Sequence, residues 1–173
     1  MNLAGFWRGR MNKSYTVVLA CYSNSVHKQA IAELMALYSG DIMGGGVALP
    51  SENCHQLADA LSDFGYANTV LAFADGEPIG MATSLKSFST FALKPLLNIH
   101  DFYVVPQWRG VGVGVAMLEK TQSVARKLGC CKLTLEVLGN NLPAKSLYQK
   151  FGFEAYQLAE SAGCAEFWQK PIG

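Results

Sequence analysis

The segment Val105-Pro106-Gln107-Trp108-Arg109-Gly110-Val111-Gly112-Val113-Gly114-Val115-Ala116 decides how the rest of the chain is read. It follows an apolar run, Leu96–Val105, that reads as a strand. It leads into a helical pattern from about Gly112 to Leu128, which Gly129 ends. Glycines at alternate positions let the backbone take positive φ and approach a ligand closely. The start of a helix leaves N–H groups without partners at the positive end of the helix dipole. Strand, glycine turn and helix start together make a site for a pyrophosphate.

Three patterns compete for this turn. A dinucleotide fingerprint needs G-x-G-x-x-G. Counted from Gly110 its third glycine falls on Val115, and counted from Gly112 on Met117, so both fail. A P-loop needs Gly-Lys-Ser/Thr, which this segment lacks. The pattern Arg/Gln-x-x-Gly-x-Gly/Ala is met by Arg109, Gly112 and Gly114. Taken alone, the same turn also serves to pack a helix on a strand, so a second signature carries weight.

That signature is Asn141-Leu142-Pro143-Ala144-Lys145-Ser146-Leu147-Tyr148-Gln149-Lys150-Phe151-Gly152-Phe153. It reads as a short helix, Pro143–Phe151, with Asn141 capping its entrance and Gly152 stopping it. Ala144 and Tyr148 are four residues apart and share a face.

Around these two segments the chain reads as β, two helices, three strands, helix, strand, helix, two strands. Tyr15–Leu19 is the first strand. A helix from Ser25 carries Val26, Ala30, Ile31, Leu34 and Tyr38 at helical spacing and stops at Gly40. Ser51 caps a second, with Cys54, Leu57, Leu61 and Phe64 on one face. Thr69–Ala74 and Ile79–Leu85 are strands joined by a turn at Asp75–Pro78, and Leu133–Leu138 is the strand after the long helix. Phe153–Leu158 and Ala165–Gln169 are read as two closing strands. The order predicts a mixed α/β layer fold, with a parallel crossover from Leu96–Val105 to Leu133–Leu138. Ligands in such sheets sit at the carboxyl ends of central strands, where the glycine turn lies.

The two signatures resemble motifs A and B of the GNAT superfamily of N-acetyltransferases. The resemblance covers roughly Thr69 to Lys170; before Asn68 it is one of element order only. It implies a GNAT-type α/β domain: a mixed, mostly antiparallel central sheet with a splayed parallel strand pair and helices on both faces. It implies direct transfer of an acetyl group from acetyl-CoA to a primary amine, with CoA as product. Cofactor contacts then fall on Phe102, Tyr103 and Val104 of the strand. They continue on Arg109, Gly110, Val111, Gly112, Val113, Gly114 and Val115 of the loop, and on Asn141 and Ala144 of the short helix. Tyr148 becomes the acid that protonates the leaving thiolate.

The chain is similar to the diamine and polyamine acetyltransferase branch, with one departure. That branch carries a Glu-Asp pair in the strand before the loop, and this sequence has His100-Asp101. The lost carboxylate argues against a polyamine acceptor. His100 is read as the group that takes the amine's proton, directly or through a water. The competing reading makes it a buried histidine held by Asp101 or Asn98 for structural reasons. The acceptor region is placed at Tyr38, Asp41, Asn98 and His100. Asp41 is read either as a partner for a cationic amine or as a solvated loop acid. Phe88-Ser89-Thr90-Phe91 is read either as an aromatic edge of the acceptor cleft or as a hairpin tip.

Composition bounds the remaining choices. The 173 residues suit one domain spanning 1–173, with Met1–Arg10 a loose extension and Met11 a second candidate start. Basic and acidic residues nearly balance, 14 to 13, and no block of like charge points to nucleic acid. No stretch reaches the ~20 apolar residues of a membrane span. Five cysteines with no Cys-x-x-Cys pair read as reduced thiols of a cytoplasmic protein, and no metal site is expected. An apolar fraction of 50% makes a homodimer an expectation. Two other function classes stay open: a protein N-terminal or lysine acetyltransferase, and a non-enzymatic acyl-CoA sensor.

Overall fold

In the computed structural model, residues 14–157, 163 and 165–172 are described. The elements are β1 (Thr16–Leu19), α1 (Ser25–Gly40), α2 (Ser51–Phe64), β2 (Ala67–Ala74), β3 (Glu77–Ser89), β4 (Lys94–Val104), α3 (Val113–Lys127), β5 (Leu133–Leu135) and α4 (Leu142–Phe151). The strands form one sheet in the order β1-β2-β3-β4-β5. All neighbours are antiparallel except β4 and β5, which run parallel. α3 makes the crossover between that pair, as the sequence order required.

Alternation along the strands splits the core into two layers. Val70, Ala72, Ala74, Ile79, Ala82 and Val104 pack with Val113 and Met117 of α3. Leu71, Met81 and Tyr103 pack on the other face with Ala30, Ile31 and Leu34 of α1 and Ala58 of α2. Helices therefore cover both faces. The α3 face of β2 and β3 carries Ala72, Ala74, Gly80 and Ala82, so α3 lies close to the sheet. Gly80 shows how close: a Cβ there would stand 2.7 Å from the Met117 sulfur and 3.1 Å from the Tyr103 carbonyl oxygen.

Helix ends follow local chemistry, with one correction. Asn24 caps α1 by accepting from the N–H groups of Val26 and His27. α2 has no side-chain cap: Ser51 lies inside the helix and Pro50 stands at the cap position. The face of α2 that is buried carries Cys54 and Ala58, whereas Phe64 is exposed, as is Val26 on α1.

The sheet opens at β4. Thr83 opposes Asp101 and Ser84 opposes Ile99, so His100 is the extra residue of a β-bulge. The bulge breaks strand parity. Leu97 and Ile99 before it, and Phe102 and Val104 after it, all point to the α3 and α4 side. β5 pairs with β4 only over Leu97–Ile99 and ends at Leu135, three residues short of the expected Leu138. Beyond Ile99 the two strands part.

The closing strands are not formed among the described residues. Residues 153–156 and 165–169 carry no strand, and the one contact of this kind is a single bridge at Gln157. The Ala165 N–H donates to the Tyr156 carbonyl at 3.2 Å, which is one hairpin bond without a ladder. The end of the first predicted strand, Leu158, and the extension Met1–Arg10 with Met11 lie outside the described residues.

Candidate active site

A cavity of about 870 Å³ occupies the gap between β4 and β5. It is walled by the loop before α3, by α4, and by the end of α1 with its following loop. Of the residues singled out in the sequence, Tyr38, Asp41, His100, Phe102, Tyr103, Val104, Arg109, Gly110, Gly112, Gly114, Val115, Asn141, Ala144 and Tyr148 line it.

The β4 wall has a defined backbone polarity. The Val105 N–H donates to the Ile79 carbonyl at 3.0 Å. In an antiparallel ladder the pairs alternate, so Phe102 and Val104 turn their N–H and C=O groups away from β3 and toward the gap. Tyr103, between them, spends its backbone on β3, and its ring lies 5.6 Å from that of Tyr38 of α1, tilted by 36°. It lines the cavity through its side chain.

Across the gap, α3 begins without a side-chain cap. Gly112 stands before it at φ 98°, in the left-handed region, and a Cβ there would come within 3.1 Å of the Tyr15 hydroxyl. The first intrahelical bond is Ala116 N–H to Gly112 C=O, so the N–H groups of residues 113–115 point out of the helix end. At Gly114 a Cβ would meet Leu147 of α4 at 3.0 Å. Glycine permits this approach of α3 to α4. Two neighbours in the predicted loop set stay out of the cavity. Val113 is fully buried in the α3 core, and Val111 is exposed outside the lining.

Arg109 is committed within the protein. Its Nε donates to the Val104 carbonyl at 2.8 Å, and an Nη donates to Asp41 at 2.9 Å. The guanidinium also lies 5.5 Å from the centre of the Tyr103 ring. Asp41 is therefore neither a free anchor for a cation nor a solvated acid. The Met43 N–H and then Arg109 hold its carboxyl below the usual range.

α4 carries Tyr148 into the cavity. Asn141 caps the helix, accepting from the Ala144 N–H at 3.3 Å. Tyr148 is 7% exposed, edge-on to Phe102 and to Phe153, each at 5.8 Å. Burial, and next the charge of Tyr38, push its phenol up to about 12. The Tyr38 phenol is itself raised, chiefly by burial and then by Asp101 and Asp41. Asp101 faces the α1 side beneath the lining. Burial raises its carboxyl, with His100 opposing. His100 is exposed at the bulge, so the reading of a buried structural histidine fails.

Asn98 leaves the acceptor set. Its amide donates to the Thr134 hydroxyl at 3.1 Å and to both Glu136 oxygens at 3.2 and 3.3 Å, bridging β4 to β5 just before they part. Phe88–Phe91 proves to be a hairpin tip: Phe91 is 98% exposed and none of the four lines the cavity. The lining that sequence reasoning missed includes Ile42, Met43, Trp108, Glu136 and Lys150. Glu136 was visible as the one charge within the predicted strand Leu133–Leu138. Lys150 was visible two residues beyond Tyr148 in the helix signature.

The model of the acetyltransferase (GNAT) family matches residues 12–153. The thialysine N-epsilon-acetyltransferase of Bos taurus is 34% identical over 99 residues, 54% of this chain and 58% of that protein. The aminoglycoside N(6')-acetyltransferase type 1 of Stenotrophomonas maltophilia is 31% identical over 102 residues, 57% of this chain and 67% of that protein. The match thus spans little more than half the length of the bovine relative. A solved structure of the aminoglycoside N-acetyltransferase AAC(6')-Iy in complex with CoA has a TM-score of 0.71 at 17% identity, covering 91% of this chain and 95% of that one. At that identity the likeness is one of fold. The family match runs through every strand of the sheet and both helices that wall the cavity, and the chain belongs to the acetyltransferase (GNAT) family.

Proposed function

We propose that the protein is an acetyl-CoA-dependent N-acetyltransferase that moves an acetyl group to the primary amine of a small molecule. The observation that carries this reading is the opening of β4 from β5 at the His100 bulge, with Phe102 and Val104 backbone groups on one side and the Tyr148 phenol on the other. Relatives named for thialysine and aminoglycoside acetylation, and a neighbour of like fold holding CoA, support the same class.

The residues present suit the donor. The N–H groups of 113–115 at the start of α3, with Gly110 and Gly112 at positive φ, suit a pyrophosphate. The Phe102 N–H and C=O and the Val104 N–H suit the amides of an extended arm, which they would receive as a strand edge receives a strand. Ala144 leaves room on α4. When bound, acetyl-CoA supplies an activated thioester acyl group.

The remaining chemistry falls to the chain. An alkylammonium must lose a proton before it attacks, its pKa being about 10. His100, exposed at the bulge and lining the cavity, takes that proton directly or through a water. Tyr148 stays protonated across the physiological range and donates its proton to the departing sulfur. No covalent enzyme intermediate is required. We extend the reading to one acyltransferase domain over 1–173, a cytoplasmic setting and a homodimer. The free thiols of Cys21, Cys54, Cys130 and Cys131 agree with a reducing compartment.

The direct test follows CoA release from acetyl-CoA with a thiol-reactive dye across a panel of amines, beside calorimetry of acetyl-CoA. Turnover with free amines supports the reading. Turnover with protein substrates alone transfers it to protein acetylation. Binding without turnover transfers it to a sensor.

A further inference from the structure

The charge balance of the cavity and the composition of its lip narrow the acceptor. Its lining holds two carboxylates, Asp41 and Glu136, and two basic side chains, Arg109 and Lys150. Asp41 is neutralised by Arg109 at 2.9 Å. Among the described residues, the hydrogen bonds of Glu136 come from the neutral Asn98 amide, at 3.2 and 3.3 Å, which holds its oxygens in place. One uncompensated carboxylate suits one ammonium group. A second ammonium would find no partner in the lining and would face Lys150.

The lip opposite is apolar. From Asp41 to Pro50 the loop after α1 carries no charge besides Asp41. Ile42 is 81% exposed and Met43 partly so, and both line the cavity. This loop is not a loose flap. The Asp41 carboxylate accepts from the Met43 N–H at 2.9 Å, and its carbonyl accepts from Gly44 and Gly46. Gly44 sits so near the Tyr38 carbonyl that a Cβ would overlap it. A held loop that shows Ile42 and Met43 to water beside the Tyr38 and Tyr103 rings offers a surface that an apolar body covers with gain.

We propose that the acceptor is a small primary monoamine with an apolar body, its ammonium drawn to Glu136 and its apolar part laid against Ile42 and Met43. This rests on the acetyltransferase reading above. It separates the chain from acceptors with several cationic groups, aminoglycosides among them.

The test compares kcat/KM for butylamine, hexylamine, phenethylamine, spermidine, kanamycin and a methionine-initiated peptide, with acetyl-CoA affinity measured by calorimetry. The expected order places phenethylamine and hexylamine at least tenfold above spermidine and kanamycin. Each methylene that reaches the lip is expected to add roughly fourfold. Ile42→Asp, at an exposed position, is expected to cut kcat/KM for phenethylamine tenfold or more while acetyl-CoA binds as before. Glu136→Gln is expected to raise KM for every amine. A preference for spermidine, kanamycin or the peptide overturns this proposal and leaves the acetyltransferase reading standing. Turnover unaffected by Ile42→Asp also overturns it. Absence of turnover with every acceptor, with or without acetyl-CoA binding, overturns both.

Discussion

Arg109, in the loop before α3, lies 2.9 Å from the carboxylate of Asp41, the residue that ends α1. Sixty-eight positions separate them in the chain. The contact ties the glycine turn to the loop on the acceptor side of the cavity. It also sets Arg109 over the Tyr103 ring, which packs on Tyr38. Asp41 binds its own loop as well, through the Met43 N–H.

Asp41→Ala is therefore expected to loosen two loops at once. An ion pair of this exposure is worth about 0.5–1 kcal/mol, and the loss of the Met43 bond adds a similar amount. The acceptor KM is expected to rise severalfold, with a smaller change for acetyl-CoA. Asp41→Asn, which keeps an oxygen for Met43, is expected to recover part of the loss. Because the folded-state pKa of Asp41 is depressed, its contribution is present above the unfolded carboxylate pKa and is lost as pH falls through the folded value. A wild-type melting temperature that drops on acidification more steeply than that of Asp41→Asn checks this.

Tyr148→Phe is expected to lower kcat by about 100-fold or more, the usual size of a general-acid contribution. Calorimetric affinity for acetyl-CoA is expected to stay within about twofold, because the ring contacts with Phe102 and Phe153 survive. A variant that keeps full kcat removes Tyr148 from the acid role. With the phenol pushed up to about 12, mainly by burial, wild-type kcat is expected to show no loss from this group until well above its ordinary value of 10.0. Stability follows the same sign. The raised pKa favours the protonated fold below pH 10, and that contribution fades as pH rises from there toward 12.

His100→Gln separates the two candidates for proton acceptor. If the imidazole is the base, kcat/KM falls by a factor of 10² or more. If a water accepts the proton unaided by His100, the rate changes little. Steady-state kinetics with one amine decide between these.

Gly112→Ala tests the glycine turn. At φ 98° an alanine is strained by about 1–2 kcal/mol, and its methyl group presses the Tyr15 hydroxyl at 3.1 Å. The melting temperature is expected to fall by several degrees. Acetyl-CoA affinity is expected to fall by tenfold or more, because the N–H groups of 113–115 are re-aimed. Unchanged affinity in the folded variant takes the pyrophosphate away from this turn.

Much of the fold is local, and so it was legible. α3 and α4 begin and end where glycine, asparagine and proline place them, and alternation in β2 and β3 sorts Val70 and Ala72 from Leu71. The motif residues Arg109, Gly112, Gly114, Asn141, Ala144 and Tyr148 meet at one cavity because strand–turn–helix units set their spacing. The predicted strands after Phe153 are not formed among the described residues for a different reason. Alternating apolar residues state that a segment can pair, but a strand exists only where a partner edge receives it.

The sequence by itself determined the order of elements, the two signatures and the chemical types available at them, since these rest on contacts a few residues long. Only the tertiary structure decided what those groups face. The bulge falls on His100 because β3 aligns Thr83 with Asp101 and Ser84 with Ile99, and that register belongs to two strands. Asn98 is spent on Thr134 and Glu136 because β5 lies beside it, and Asp41 is spent on Arg109 because two distant loops meet. A side chain's type is written in the chain, whereas the charge it has left for a ligand depends on neighbours that only folding supplies.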